Sequence, residues 1–212
     1  MQTWAIVVAA GGGTRFGSAK QFAPLGAGTV VDRSVGIARS ACEQVVVVLP
    51  ADAEWRAPAG VRTTTGGPTR SASVRAGLAV IPGAVDVVVV HDAARPLASP
   101  ALFARVIAAV RDGADAAVPG LPMPDTVKRA RDGVVVETIP RDDLVAVQTP
   151  QAFRRDALER AHAGDGVDTD DAALVEADGG KVVVVEGEPR NVKVTVPADL
   201  DLVRMLIESG QA

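Results

Sequence analysis

Short runs of apolar, mostly β-branched residues recur along the chain and are separated by longer amphipathic segments. Several runs are continuous rather than alternating, which is typical of parallel strands that are buried on both faces. The pattern predicts strands at Ala5–Ala10, Val45–Leu49, Val85–Val90, Ala114–Val118 and Val182–Val185. Helical spacing predicts helices at Asp32–Cys42, Ser71–Val80, Ser99–Arg111, Arg154–Ala163 and Pro197–Glu208. Strands that alternate with helices predict an α/β fold, with a mostly parallel sheet flanked by helices on both sides.

One segment departs from this alternation. Two extended runs, Asp125–Arg131 and Val134–Ile139, are joined by Asp132-Gly133, a pair favoured in two-residue hairpin turns. A two-stranded ribbon is only marginally stable alone. We therefore expect residues 122–142 to form a protruding β-arm that packs against a second copy of the chain, giving a homodimer. Because no repeat or interdomain linker is visible, residues 1–212 are predicted to form a single domain.

Composition narrows the possible partners and compartments. The net charge of −4 argues against binding to nucleic acid or to an anionic membrane surface. Cys42 is the only cysteine, so a disulfide framework and a thiolate metal cluster are excluded. The first residues lack the features of a signal peptide and no apolar run approaches ~20 residues, which predicts a cytoplasmic protein. Tyrosine is absent, which excludes mechanisms that use a catalytic tyrosine.

The first predicted strand runs into Gly11-Gly12-Gly13, and two cations, Arg15 and Lys20, follow within a few residues. A glycine loop after a strand lets backbone N–H groups approach a phosphate chain closely, although glycines alone also suit a tight strand-to-helix turn. The two cations favour the phosphate interpretation, because they can neutralise charge that develops on phosphorus during transfer. The loop is not a Walker loop, since no Gly-Lys-Ser/Thr follows. It predicts a nucleotide site that breaks a phosphoanhydride.

A second candidate segment, His91 to Pro96, directly follows the predicted Val85–Val90 strand. Ligands of open α/β sheets bind at the carboxyl ends of strands. Asp92 could there hold Mg²⁺ on a triphosphate, or it could cap a turn or pair with Arg95. His91 is interpreted as a packed strand-end residue.

Three further segments carry polar groups whose role the pattern leaves open. Thr65-Gly66-Gly67 precedes a predicted helix that begins with hydroxyl residues, and it could bind a base or phosphate or only cap that helix. Thr169-Asp170-Asp171 is most simply a helix cap. Residues 191–195 read as a short strand whose single Lys193 is solvated or prevents edge pairing. His162, near a helix end, is predicted to lie at the surface.

Taken together, these segments resemble the 2-C-methyl-D-erythritol 4-phosphate cytidylyltransferases of the non-mevalonate isoprenoid route. The matching segments run in family order over nearly the whole chain. They are Ala9–Arg15, Lys20–Phe22, His91–Pro96, Asp125–Lys128, Gln148–Gln151, Thr169–Asp171 and Asn191–Thr195. The stretch between Arg15 and Lys20 is shorter than is usual in the family and lacks a proline before the lysine.

The resemblance implies a Rossmann-like nucleotidyltransferase fold and a dimer interlocked through the β-arm. It implies Mg²⁺-dependent transfer of CMP from CTP to the 4-phosphate of methylerythritol phosphate, with release of pyrophosphate. Carried over by position, Arg15 and Lys20 stabilise charge at the α-phosphorus, while Arg141 and Lys193 position the acceptor phosphate. The other implied substrate-binding residues are Ala9, Ala10, Gly11, Gly67, Ser73, Asp92, Ala93, Arg95, Thr126 and Thr149, with Asp92 beside the metal.

Other functions remain open at this point. Ribitol 5-phosphate cytidylyltransferases share nearly all of these motifs. A non-catalytic nucleotide-binding homologue is a second alternative, although a pure binder needs no cations on both reacting groups. A nicotinamide-dependent dehydrogenase of the short-chain type is excluded, because it needs a tyrosine-lysine pair.

Overall fold

The structure is a computed structural model that describes residues 1–12, 16, 19–164 and 170–210. Within these residues the helices are α1 (Val30–Ala41), α2 (Arg70–Leu78), α3 (Pro100–Arg111), α4 (Arg155–Ala161), α5 (Asp171–Ala177) and α6 (Pro197–Glu208). The strands are β1 (Thr3–Val8), β2 (Pro24–Leu25), β3 (Gly28–Thr29), β4 (Gln44–Leu49), β5 (Arg62–Thr65), β6 (Val87–Asp92), β7 (Ala116–Pro122), β8 (Val127–Arg131), β9 (Val134–Ile139), β10 (Val145–Val147), β11 (Gln151–Arg154) and β12 (Val182–Glu186). A 3₁₀ turn, Lys20–Phe22, follows the glycine loop.

Eight of these strands form one mixed sheet. Strands β5, β4, β1 and β6 are neighbours in that order and run parallel to one another. Strand β11 pairs antiparallel with both β6 and β7, β10 pairs antiparallel with the far end of β7, and β12 runs parallel to β7. The predicted α/β architecture is confirmed. The antiparallel insertion of β10 and β11 was not predicted, because Val145–Val147 and Gln151–Arg154 are too short to stand out as apolar runs.

The sheet is covered on both faces, as continuous apolar strands require. Alternate residues of β1 point to opposite sides, so Ala5 and Val7 pack in one core with α1 and α3. Trp4 and Ile6 pack in the other core with α2, α4 and α5. The carboxyl ends of β1 and β6 lie side by side, because Val8 is in register with Asp92. Burial of both faces of the sheet holds the two strands in this position.

Capping residues set the helix boundaries, and they account for small differences from the prediction. Helix α3 begins after the predicted N-cap Ser99, whose hydroxyl accepts from the Leu102 N–H. Helix α2 begins one residue earlier than predicted, because Thr69 caps it. Strand β6 continues through His91 and Asp92, so these residues end the strand rather than follow it. Residues 191–195, predicted as a strand, have no regular secondary structure.

The β-arm forms as predicted, from β8 and β9. The two strands pair antiparallel and are joined by Asp132 and Gly133, which both have positive φ, as a type I′ hairpin turn requires. Among the residues described, the arm forms a two-stranded sheet separate from the main one. Its valines are the notable feature, because Val134, Val135 and Val136 are 65%, 56% and 53% exposed.

Among the described residues, no helix is long and apolar enough to cross a membrane.

Candidate active site

A cleft of about 330 Å³ lies at the carboxyl ends of β1 and β6. The residues after β1 form one wall, the start of α2 forms another, and the end of β6 forms the floor. The lining residues include Ala9, Ala10, Gly11, Lys20, Gly67, Ser73, Asp92, Ala93 and Lys193. Nine residues that the sequence assigned to substrate or catalysis therefore share one cleft.

The side chain of Gln21 holds the glycine loop in place through hydrogen bonds to its backbone. This side chain is buried, and Nε2 donates to the carbonyl oxygens of Ala9 at 2.8 Å and Gly11 at 3.0 Å. A Cβ atom added at Gly11 or Gly12 would meet no atom within 4 Å, and neither residue has a positive φ. Neither packing within the described chain nor backbone conformation therefore requires glycine there. The bare backbone leaves space for a ligand to approach.

The adjoining wall needs its glycines for close packing. A Cβ atom on Gly66 would lie 2.4 Å from the Cβ of Ala10, and one on Gly67 would lie 2.5 Å from the Cβ of Ala72. The backbone of this loop therefore lies directly against the first loop and against α2. Ser73 stands beside it, with its hydroxyl donating to the carbonyl of Thr69 at 3.0 Å. The two loops therefore meet at Gly66 and Ala10 and form adjoining walls of the cleft.

Asp92 forms the floor of the cleft and is held by two cations. Arg70 Nε donates to Oδ1 at 3.2 Å, and Lys193 Nζ donates to Oδ2 at 2.7 Å. Burial by itself would raise the pKa of Asp92, but the charges of Arg70 and Lys193 outweigh it and hold that pKa well below its usual range. Asp92 is therefore ionised. Its ion-pair partners are Arg70 and Lys193 rather than the Arg95 that the sequence offered as a partner.

Behind Asp92, His91 is fully buried and neutral. Burial lowers its pKa to about 4. Its Nε2 lies 3.1 Å from the carbonyl oxygen of Arg95 and its Nδ1 lies 3.2 Å from the hydroxyl of Thr149. Because a carbonyl can only accept, Nε2 carries the proton and Nδ1 accepts from Thr149. The same hydroxyl accepts from the backbone N–H of Asp92 at 3.0 Å, so His91 and Thr149 orient the floor.

A second cavity of about 230 Å³ adjoins the first and shares Arg70, Asp92 and Lys193 with it. It also contains two predicted substrate-binding residues, Arg95 and Thr149. Its other lining residues are Val147, Gln148, Gln151 and Asp170. The shared groups place one cavity on each side of the Asp92–Lys193 pair, which suits two ligands that meet there.

The remaining predicted residues lie elsewhere. Arg15 falls outside the described residues. Thr126 and Arg141 are exposed at the base of the arm and line neither cavity. Arg141 instead donates to the backbone carbonyl of Pro124.

Sequence reasoning missed several residues that hold the site together. Gln21 and Arg70 were given no role from the sequence, because nothing local shows that one reaches back to the glycine loop and the other reaches Asp92. The prediction that His162 lies at the surface is wrong. His162 is buried, and its Nε2 lies 3.0 Å from Oδ1 of Asp171. Its position near a helix end gave no signal of this contact between α4 and α5.

An α/β sheet with a glycine loop and a cleft at the carboxyl ends of its strands is typical of nucleotide-binding proteins. The comparisons with known proteins then identify the family. Residues 3–209 match the family described as IspD: 2-C-methyl-D-erythritol 4-phosphate cytidylyltransferase. The chain belongs to this family and is a cytidylyltransferase.

Individual relatives agree along nearly the full length. A 2-C-methyl-D-erythritol 4-phosphate cytidylyltransferase of Rhodococcus jostii (strain RHA1) is 46% identical, over 97% of this chain and 95% of the relative. A bifunctional IspD/IspF enzyme of Anaeromyxobacter dehalogenans (strain 2CP-C) is 48% identical over 98% of this chain, which spans 57% of that enzyme. The crystal structure of 2-C-methyl-D-erythritol 4-phosphate cytidylyltransferase from Thermus thermophilus has a TM-score of 0.86 and 37% identity, and the match covers 98% of this chain and 100% of that one.

Proposed function

We propose that the protein transfers CMP from CTP to 2-C-methyl-D-erythritol 4-phosphate, giving 4-diphosphocytidyl-2-C-methyl-D-erythritol and pyrophosphate. The observation that carries this proposal is the pair of cavities that share Asp92 and Lys193. The cavity with the glycine loop suits the nucleotide, and the adjoining cavity suits the acceptor. The family to which the chain belongs supports the choice of both substrates.

The chemistry needs charge and alignment rather than a general base. An oxygen of the acceptor phosphate attacks the α-phosphorus of CTP, the bond from that phosphorus to the bridging oxygen breaks, and pyrophosphate leaves. A phosphate monoester is already a competent nucleophile near neutral pH. The protein has to hold two polyanions in line and neutralise the transition state. We assign this neutralisation to Arg15 and Lys20 at the α-phosphate, and assign the acceptor phosphate to Lys193 and Arg141.

Mg²⁺ is the proposed cofactor, and Asp92 is its proposed protein ligand. The described residues contain no group of three or more candidate ligands, so they do not form a metal cage of their own. Mg²⁺ bound to a triphosphate commonly needs only one or two carboxylates from the protein. Each Asp92 oxygen accepts a hydrogen bond from one cation and keeps a second lone pair for a metal. The site thus fits a metal that arrives with the nucleotide, where it would withdraw charge from the phosphates.

We further propose a homodimer in which the arm completes the neighbouring site. Three exposed valines on β9 give the arm an apolar surface that a second copy could cover. Thr126 and Arg141 lie at the base of this arm and away from both cavities of their own chain, which is expected if they serve the partner's acceptor pocket. The proposed compartment is the cytoplasm, which fits the buried free thiol of Cys42.

The dimer can be tested with Val135→Asp, which places a charge in the exposed apolar strand. Sedimentation equilibrium should show dimers for the wild type and monomers for this variant. Val196→Asp is the control, because Val196 is also exposed and occupies the N-cap of α6, where aspartate is favoured. Equal association of all three proteins would reject the arm as the interface.

The reaction can be tested by measuring pyrophosphate release with each nucleoside triphosphate and a panel of polyol phosphates. We expect turnover with CTP well above UTP, ATP and GTP, because a narrow backbone-lined cavity can test the 4-amino group of cytosine by hydrogen bonding. Methylerythritol phosphate should be the preferred acceptor, and chelation of Mg²⁺ should stop turnover. Preferred turnover of ribitol 5-phosphate would show that this compound, and not methylerythritol phosphate, is the acceptor. CTP binding without turnover would indicate a non-catalytic nucleotide-binding protein.

A further inference from the structure

Arg70 links the floor of the cleft to the interior of the protein. It is the first residue of α2, and its guanidinium bonds to two carboxylates that are far apart in the sequence. Nε donates to Asp92 at 3.2 Å and Nη1 donates to Asp171 at 2.6 Å. The two carboxylates outweigh the effect of burial and raise the pKa of Arg70 above its usual value, so the guanidinium stays charged.

Asp171 is a buried anchor for this arginine. Its side chain is fully buried at the start of α5. One carboxylate oxygen accepts from Arg70, and the other lies 3.0 Å from Nε2 of the buried His162 at the end of α4. The contacts therefore run from α4 and α5 through Arg70 to the end of β6. Lys193 extends the chain by one more contact, at 2.7 Å from Asp92.

Stability alone is a poor explanation for this network. Moving charged groups out of water is costly, and a buried ion pair often stabilises a fold no more than apolar residues of similar volume. The hydrogen bonding of this network is also incomplete, because Nη2 of Arg70 and Nδ1 of His162 are buried and have no hydrogen-bond partner among the described residues. Of these two groups, Arg70 lines both cavities of the cleft, and an incompletely paired buried group beside a cleft is more typical of a functional site than of a stabilising core.

Geometry suggests what the network controls. Arg70 takes Oδ1 of Asp92 and leaves Oδ2 to Lys193, so each cation has one oxygen. Lys193 is 43% exposed and has a flexible stem, whereas Asp92 is almost buried, so Asp92 holds the lysine rather than the reverse. A carboxylate released by Arg70 would be free to rotate. Lys193 would then lose its fixed place between the two cavities.

We propose that Arg70 is a positioning residue for Asp92 and Lys193, and that Asp171 and His162 hold Arg70 in place. The inference rests on the proposed function, because it takes Lys193 to be the group that holds the acceptor phosphate. It assigns catalytic consequences to Asp171 and His162, although neither residue lines either of the two cavities.

The test uses Asp171→Asn, which removes the charge and keeps the shape. We expect kcat to fall by about 10- to 100-fold and the KM for the acceptor to rise, since small misplacements of a positioned group have effects of this size. The KM for CTP should also rise, because Asp92 is the proposed ligand of the Mg²⁺ that arrives with the nucleotide, but by less than the KM for the acceptor, since the glycine loops are unchanged. Asp178→Asn is the matched control, since Asp178 follows the same helix and pairs with Arg160 at the surface. It should leave all three constants unchanged.

A purely structural role predicts a different result. Asp171→Asn would then lower the melting temperature or the fraction of active enzyme, while kcat per folded molecule and both KM values stay the same. That outcome would overturn the inference. Because the buried substitution could fail to fold, Arg70→Lys and the Arg70→Lys, Asp171→Asn double variant are measured alongside it.

If Arg70 and Asp171 act as one unit, the kcat of the double variant should fall no further than that of the less active single variant. If the two residues act independently, the fold-losses in kcat should multiply. Multiplicative losses would also overturn the inference. The proposed function is judged separately by the wild type in the same assay. Absence of wild-type turnover rejects the function, whereas full turnover by Asp171→Asn rejects only the positioning role.

Discussion

The floor of the cleft is built from residues that are far apart in the sequence, whereas the β-arm is built from residues that are close together. The floor joins Arg70, Asp92, Asp171 and Lys193, which come from four segments and are linked by ion pairs. The paired strands of the arm, 127–139, are made by neighbouring residues and a two-residue turn, and they expose three valines. One region is held together within its own chain, and the other presents exposed apolar surface. If the proposed dimer forms, the complete site requires both kinds of region, the first present in the monomer and the second supplied by the other copy.

The strongest test of the cleft is Lys20→Ala. If Lys20 stabilises the transition state, kcat should fall by about 10²–10³-fold, as for loss of one preorganised donor, with a much smaller change in the KM for CTP. Single-turnover and steady-state kinetics would separate the two effects. A raised KM with unchanged kcat would make Lys20 a binding residue only.

Mixed dimers test whether the arm supplies the missing part of the site. Arg141→Ala and Lys20→Ala should each be nearly inactive, but exchange of subunits puts both lesions into one site and leaves the other intact. Activity should recover to about a quarter of that of the wild type in an equal mixture. Absence of recovery, with exchange verified by differently tagged subunits, would place Arg141 in its own subunit's site.

Acid should weaken the folded state around the cleft floor through His91. Burial lowers its folded-state pKa from 6.5 to about 4, so the unfolded chain takes up a proton first as the pH falls. The stability that neutral His91 allows is therefore present above pH 6.5 and declines between pH 6.5 and 4. We expect this residue to account for a loss of about 2–3 kcal/mol between about pH 7 and about pH 4.5.

The measurement is urea unfolding at both pH values, with His91→Gln as the comparison. Glutamine can still donate and accept a hydrogen bond, so the variant should fold but show a smaller loss between the two pH values. An equal loss in both proteins would assign the acid sensitivity to other groups. The arm contains no histidine, so the loss that is assigned to His91 comes from the main sheet and not from the arm.

The smallest expected effect belongs to the arm's own ion pair. Arg129 and Glu137 lie 2.8 Å apart across the two strands and are about half exposed. Arg129→Ala should change the free energy of unfolding by less than about 1 kcal/mol, which is typical of exposed pairs. Urea unfolding of both proteins at several protein concentrations would measure this change in the free energy of unfolding. A larger, concentration-dependent change would show that this pair lies within the interface between subunits.

Local patterns determined much of this protein before any contact was known. Continuous valine runs indicated buried parallel strands, and Ser99-Pro100 marked the start of α3. Asp132-Gly133 marked the hairpin, because only a few residue pairs accept positive φ at both positions. Cations near a glycine loop indicated phosphate chemistry. These features depend on residues that are close in sequence, so the sequence displays them directly. The nine site residues that line one cleft were assigned mainly by the family resemblance, because no local pattern connects them.

Only the tertiary structure decided how those pieces meet. The partners of Asp92 come from α2 and from the segment before α6, and His162 is buried because Asp171 reaches it. The antiparallel β10 and β11 appear only when β6 and β7 lie beside them. Each of these contacts joins residues that no local pattern connects. Their strength comes from burial and charge pairing that exist only in the folded chain.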